Sequence, residues 1–554
     1  MLNTNNMDIF LKTIKKFKAF PLFIYPLFYL FTGVYFRTLI GNLSLITMDP
    51  DYVYFISGLS ISEGFFKVGH IDHPGTPLQL LIAILFRIIF LFRANNVSYI
   101  EDVFLHPDLY LSIANLIITV LTAGLLLYAG KKVFEYTKSI FYAVLIQTAP
   151  FLPVIWYDLI GRFTPELMMP FPIILLTVLI IKIYYTENSV SYKTVILLAL
   201  VSAFGLSIKL TYILLWIIPF LMIDTWRKRF VFVGLSFILF FIFAIPVTLQ
   251  LNFFWIWVKN LFMHSGTYGS SESNIIDFAS LGTNLKELYG YEKRYFYVYF
   301  VLIAVFSGYL IYFRKKADKR IVLLAIAVIL TIAAQLLMIG KHYAHRYFIP
   351  VLMISPLMIF IIAEMIKKVY PKRITTYIIN IGIVGFLFWH VQFNRQWLPI
   401  KTEAIGTDIE NRKQTWYVAQ SLEKDSYKII ASQSYGSPFI EYALMYSTVW
   451  ANRAKREEYA SILGKLYPTT YNYFTFDNTF RFWGEKFNAR KIIDSGKKTY
   501  LYLERNEEEL FNRSINKLIE ENNDTIEVER ELIYLNEKTA EIIYQLTFSH
   551  NGKN

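Results

Sequence analysis

The sequence predicts an α-helical polytopic membrane protein of about eleven transmembrane helices, followed by a C-terminal soluble α/β domain. Three observations predict it. Hydrophobic residues make up 55% of the 554 and charged residues only 18%, with a mean hydropathy of +0.40. Ordinary globular chains carry about 45–50% and about 25%, so lipid must be the solvent for much of this chain. Secondly, apolar runs alternate with short basic clusters over residues 1–392. Thirdly, the composition turns ordinary beyond that point: Arg395 to Lys553 holds 22 basic and 23 acidic residues, leaving 33 basic against 19 acidic for the apolar part. A basic excess confined to the apolar part reports membrane topology rather than nucleic-acid binding. No glycine-rich phosphate loop or zinc-finger spacing competes with that reading. With no cysteine, disulfides, thiolate nucleophiles and Cys-ligated metals are excluded.

The spans are expected at about 20–40, 109–129, 139–156, 168–185, 194–208, 210–224, 230–250, 296–313, 320–339, 347–366 and 374–391. Two of them, 194–208 and 210–224, are shorter than the ~20 residues of a straight crossing and make sense only as a buried, broken pair. The apolar run 76–92 is read as an interfacial or re-entrant helix within an exterior loop, 41–108. With Lys12, Lys15, Lys16 and Lys18 in the cytoplasm, that choice puts Lys131/Lys132/Lys138, Lys193, Arg227/Lys228/Arg229, Arg314/Lys315/Lys316 and Lys367/Lys368/Lys372 inside, as the positive-inside rule requires. Arg87 in the middle of the run agrees. The N-terminus is then cytoplasmic and the C-terminus exterior, in what is expected to be a bacterial inner membrane. The first apolar segment is long enough to span, so no cleaved leader is expected. Two domains follow: 1–392 in the membrane and 393–554 exported. Within the latter, Thr499–Leu503 reads as a strand, Glu507–Glu521 as a helix with acidic residues in its first turn, and Leu532–Leu535 with Glu541–Thr547 as a hairpin.

The polar residues that bear chemistry concentrate in the exterior loops. The first holds Asp49, Asp51, Glu63, His70, Asp72 and His73 between two apolar stretches. Acidic residues this near the bilayer are costly unless solvated, paired or used; Asp and Pro as turn formers are the bland alternative. The second, Trp156 to Pro170, carries Asp158, Arg162 and Glu166. Glu166 follows a proline at the start of a span, where the helix dipole alone would favour an acid. Lys209 sits between the two short spans, where it either snorkels or meets an anion. Lys341, His342, His345 and Arg346, followed by Tyr347, place four potential cations on the outer side, against the topological bias. Arg offers the donor fork that suits phosphate, and two histidines spaced by three are weak evidence for a metal. The long loop of about 251–295 carries His264 and Tyr268 among glycines and serines, as a lid or a linker.

An acidic pair just after the first span, His73-Pro74, Arg162-Phe-Thr-Pro-Glu166, a Lys at a short broken pair, and His342-Tyr-Ala-His-Arg-Tyr347 together resemble the GT-C glycosyltransferases. The nearest likenesses are the protein O-mannosyltransferases and the lipid A aminoarabinose transferases. The resemblance covers residues 20–392, and rests on the order and sidedness of these motifs. It implies a polytopic enzyme that takes a sugar from a polyprenyl-phosphate carrier on the outer face. It implies a catalytic acid in the first loop at Asp49 or Asp51, and a second acid at Glu166, with Asp158 as a substitute. Carrier-phosphate contacts would fall on Lys209, His342 and Arg346.

The residue types fit that chemistry by themselves. A sugar on a lipid phosphate has a good leaving group. It needs a base for the acceptor hydroxyl, which a carboxylate supplies, and cations on the departing phosphate. No cofactor is required, and a divalent metal is allowed by this chemistry. The expected partners are the lipid-linked sugar, the bilayer, and a glycan, lipid or protein acceptor, with no nucleic acid. The competing classes are a polysaccharide polymerase or ligase, which would use the His342–Arg346 cluster equally well, a flippase or transporter of lipid-linked sugars, and a membrane-anchored scaffold. A transporter would show internal repeats and mid-span charges, and neither is evident.

Overall fold

The computed structural model describes residues 20–550, apart from 94–95, 265–277, 314–316, 434–435, 476, 484–487 and 523–525. Seven helices among the described residues are long and apolar enough to cross a membrane: Phe20–Ile40, Pro107–Thr137, Pro165–Thr186, Ser280–Phe313, Lys319–Met338, His345–Val369 and Arg373–Ser421. Each covers one of the expected spans. The other four expected spans take different forms. Segment 139–156 is helical only over Ile140–Gln147 and then turns through a short 3₁₀ stretch at Ala149–Phe151. Pro150 lies in this stretch and Pro153 two residues beyond it, and each removes a backbone donor and blocks helix continuation. Tyr192–Ile208 ends at Lys209, whose backbone is extended (φ −156°, ψ 134°), and a 3₁₀ stretch, Leu210–Trp216, leads into Ile217–Met222. This is the broken pair read from the sequence. Segment 230–250 begins as the helix Trp226–Phe243, capped by the Thr225 side chain accepting from the Lys228 N–H at 3.5 Å.

Segment 41–108 carries two helices laid against each other, Asp51–Ser62 and Thr76–Leu91, followed by a short third, Tyr99–Leu105. The first is buried along almost its whole length. The second has 16 residues. Its Arg87 turns back to the Ser62 carbonyl at 3.0 Å and stacks over Tyr99 at 3.8 Å. A charge mid-run thereby finds partners in the protein, although Arg87 itself is exposed. Gly75 begins this second helix at φ 56°. A Cβ there would collide with the Tyr54 ring and hydroxyl.

The helix that starts at Arg373 runs without interruption past residue 392 to Ser421, so the composition shift falls inside a helix rather than in a linker. Lys401 on it pairs with Asp158 at 2.6 Å. Beyond it lie six strands: β1 Tyr427–Ser432, β2 Thr470–Phe474, β3 Thr479–Arg481, β4 Thr499–Leu503, β5 Ile526–Leu535 and β6 Ile542–His550. Their order is β3-β2-β1-β4-β6-β5. β1 is parallel to β2 and β4, with Ile430 facing Asn472 and Tyr502 in register, and the remaining pairs are antiparallel. Alternation splits the sheet's burial. Ile429, Ala431 and Leu501 pack with Ile492, Leu510 and Leu518 on one face. Ile430, Phe474 and Tyr502 join a core continuous with the membrane helices through Tyr442 and Phe439 on the other. The predicted strand at Thr499–Leu503, the helix (here Glu508–Asn522) and the C-terminal hairpin all form.

Candidate active site

The two acids of the first loop occupy opposite environments. Asp51 is fully buried in the first turn of its helix. Its Oδ2 receives Arg162 through Nη2 at 2.5 Å and Nε at 3.2 Å, and its Oδ1 accepts the Phe163 N–H. Asp51 and Arg162 thus clamp segment 41–108 to the loop of Trp156–Pro170. Asp49, two residues earlier, is exposed. Its Oδ2 accepts from the Tyr446 hydroxyl at 3.3 Å, and its carbonyl accepts from Arg162 at 3.2 Å. Of the two acids, Asp49 presents its carboxylate to solvent and Asp51 does not.

A second group gathers around Glu166, which is 1% exposed. Glu166 Oε1 receives the buried Lys209 ammonium, and Arg346 Nε lies 4.0 Å from the same oxygen. Glu166 Oε2 is buried with no hydrogen-bond partner among the described residues. Lys209 Nζ sits 4.7 Å from the centre of the Tyr347 ring, and the Tyr347 hydroxyl lies 3.3 Å from His73 Nε2. The Gly75 N–H donates to the Ile208 carbonyl at 3.0 Å, tying the first loop to the helix break that carries Lys209. The broken pair has a physical purpose here. Ending a helix at residue 208 places an ammonium at the level of the loops without threading it through lipid.

Tyr54 joins the two groups. Its hydroxyl donates to the His73 carbonyl at 3.2 Å. Burial pushes its phenol well above the ordinary value. Asp72, Glu166 and Asp49 push the same way, and Arg346 opposes them. His73 is pushed down to about 3, by burial first, against the pull of Asp72 and with help from Lys209, His70 and Arg346. It is a neutral imidazole wedged against Trp257, ring centres 5.1 Å apart.

The remaining expected residues divide. His342 Nε2 contacts the Leu261 carbonyl at 2.7 Å, and Lys341 bonds the Phe262 carbonyl, so both hold the end of the Leu251–Met263 helix. His345 Nε2 pairs with Glu292 at 2.9 Å, and the other face of that contact is structural, since Glu292 Oε1 also accepts the Val154 N–H at 2.8 Å. Of Lys341, His342, His345 and Arg346, Arg346 joins Lys209 at Glu166 in these contacts. Asp158 is occupied by Lys401. The His264 N–H closes its helix on the Asn260 carbonyl at 2.9 Å, and Tyr268 lies outside the described residues. Among the described residues, no three His, Asp or Glu side chains converge as a metal site would require.

The sequence reading named no candidate residue in the C-terminal domain, yet several of its side chains reach the first loop. Tyr446, on the helix Ile440–Thr448, reaches Asp49. Trp450 meets His70 edge to face, ring centres 5.5 Å apart, and its carbonyl accepts the Gly69 N–H at 2.8 Å. Lys455 and Tyr459 both hold Glu63, at 3.2 and 3.1 Å. Nothing in local spacing signals these contacts, because they join residues nearly four hundred positions apart.

No family model matches the sequence, and no curated protein matches it. Among solved structures, the chain is similar to ArnT from Cupriavidus metallidurans bound to undecaprenyl phosphate, at 10% identity and a TM-score of 0.47, over 93% of this chain and 97% of that one. It is similar to the apo state of the same protein at 9% identity and a TM-score of 0.47, with the same coverage.

Proposed function

We propose that the chain is an integral-membrane inverting glycosyltransferase. It moves a sugar from a polyprenyl-phosphate carrier to an acceptor hydroxyl on the outer face, with the N-terminus cytoplasmic and the C-terminal domain exported. The observation that carries this reading is the gathering of two cations, Lys209 and Arg346, at the buried Glu166, with the solvent-facing Asp49 on the loop that the Gly75 N–H ties to the Lys209 helix break.

In this reading Asp49 takes the proton of the acceptor hydroxyl. The oxygen attacks the anomeric carbon from the side opposite the phosphate. The bond from that carbon to the phosphate oxygen breaks, and its electron pair leaves on the polyprenyl phosphate. Arg346 and Lys209 receive the developing charge, which fixed cations in a dry site stabilise without reorganisation. Glu166 is a positioning residue: it lowers the cost of burying Lys209 and holds it beside Arg346. His73, neutral, keeps positive charge off the neighbouring Lys209 and positions Tyr347. Asp51 and Arg162 hold the two loops together.

The test is a transfer assay in reconstituted proteoliposomes with a panel of radiolabelled polyprenyl-phosphate sugars and a broad envelope extract as acceptor. The wild type should move label from one donor class to the extract. Arg346→Ala should cut that rate by about a hundredfold, the usual effect of removing a donor that stabilises developing charge. Turnover of no donor by a folded wild type would overturn the reading in favour of transport or scaffolding.

A further inference from the structure

The C-terminal sheet has a cavity of about 640 Å³ whose wall includes Gln433, Tyr446, Trp450, Phe474, Arg456 and Arg481. Its place in the fold is informative. Gln433 follows the carboxyl end of β1 and Phe474 ends β2, two parallel strands. β1 lies between β2 and β4, so the chain crosses to one side of β1 and then to the other. Open α/β sheets take ligands outside the carboxyl ends of their strands, beside such a reversal.

That end of the sheet is turned toward the membrane domain. The Ser437 N–H donates to the Ser44 carbonyl at 2.7 Å, and a Cβ on Gly436 would strike the Leu45 carbonyl. Tyr446 belongs both to the cavity wall and to the Asp49 contact. Trp450 belongs both to the wall and to the His70 contact.

The lining has one chemistry. Tyr446 stacks on Phe474 with ring centres 6.3 Å apart, and Arg481 lies over Phe474 at 4.5 Å. Arg456 is pinned by its Nε to the Ala451 carbonyl at 3.4 Å and by Nη2 to that of Val449. Arg481 is held by Asp477 at 2.5 Å. Burial, then the charges of Arg453 and Arg481, depress the Arg456 guanidinium, as expected where cations crowd one wall. The Trp450 indole N–H is buried without an acceptor among the described residues. Flat aromatic faces bind the apolar side of sugar rings, and guanidinium forks bind carboxylate or phosphate.

We propose that this cavity is the acceptor subsite and that it takes a saccharide bearing an anionic group, carboxylate or phosphate. The anion lies against Arg456 and Arg481, the ring lies on Trp450, and a hydroxyl passes Tyr446 toward Asp49; Phe474, itself fully buried, backs Tyr446 and Arg481. The purpose of the binding rests on the transferase reading; the binding itself does not.

Saturation-transfer difference NMR on the full chain in nanodiscs tests it, with glucuronate, glucose 6-phosphate and glucose as probes. Ring protons of a charged sugar should saturate at least fivefold more than those of glucose. The Arg456→Ala/Arg481→Ala double variant should lose that preference and the matching pair of Lys substitutions should keep part of it. The two charged probes separate a carboxylate from a phosphate site. Equal saturation by glucose in the wild type, or an undiminished preference in the Ala double variant, would overturn the proposal. A chain that prefers the charged sugars in this way yet turns over no lipid-linked donor supports the subsite and refutes the transferase reading. A chain that transfers sugar with no such preference does the reverse.

Discussion

Asp49 and Asp51 show what one step along the backbone decides. Both are acids beside Pro50, yet one faces solvent and the other is fully enclosed by Arg162 and a backbone N–H. Removing Arg162 leaves a buried carboxylate unpaired, which costs about 3 kcal/mol or more. Arg162→Ala is therefore expected to lower the melting temperature in detergent, whereas Asp49→Asn leaves it unchanged. Equal melting of the two variants would contradict the assignment. His73 gives a pH signature. Its folded value of about 3 lies below the ~6.5 of an unfolded imidazole, so the unfolded chain binds the extra proton. The stability from keeping His73 neutral is present above pH ~6.5 and is lost as pH falls toward 3, with a slope up to about 1.4 kcal/mol per pH unit. His73→Gln should flatten the fall in melting temperature between pH 7 and 5; an unchanged slope would count against a buried neutral His73. The sequence made the candidate acids and cations legible, because charge near lipid is costly and so conspicuous. It did not make legible which acid was enclosed, since burial depends on Arg162 more than a hundred residues away.

At the scale of elements, the helix breaks build the site. The break at Lys209 was legible, because two apolar runs too short to span flank a lysine. The bend in 139–156 was not, although Pro150 and Pro153 were in plain view, since prolines are tolerated in membrane helices when neighbours satisfy the freed groups. The long helix Arg373–Ser421 hid its continuity for another reason: composition changes at the bilayer surface while helix geometry does not. Gly75 controls how the loop's second helix starts. With φ 56° and Tyr54 where a Cβ would lie, Gly75→Ala should both destabilise the chain, by about 1–2 kcal/mol for the left-handed backbone alone, and displace Tyr54. The check is a thermal melt beside a donor-transfer assay, with both reduced; a variant wild-type in both would show that the loop does not need this turn.

At the scale of the molecule, the C-terminal sheet packs against the candidate site rather than standing apart from it. Its inner face shares the core of the membrane helices, and the segments beside it grip residues 44–69 at Ser44, Glu63 and Gly69. The α/β composition of the tail was legible, but its docking was not, because interfaces between distant segments leave no local periodicity. A chain with no cysteine makes the docking directly testable. Ser44→Cys with Ser437→Cys, set where their backbones bond at 2.7 Å, should form a disulfide on mild oxidation and lose both thiols to maleimide after denaturation; two reactive thiols would contradict the contact. The same background reads sidedness. A lone cysteine at exposed Lys538 should label from outside intact cells and one at exposed Lys131 only after lysis; the reverse would invert the topology. The central claim, that Asp49 is the base of a lipid-linked sugar transfer, is met most directly by Asp49→Asn in proteoliposomes, with donor binding and single-turnover transfer measured on the same preparation. The account predicts retained donor binding with transfer slowed by about 10² to 10⁴, the range for loss of a general base. Undiminished transfer by the folded variant would contradict it.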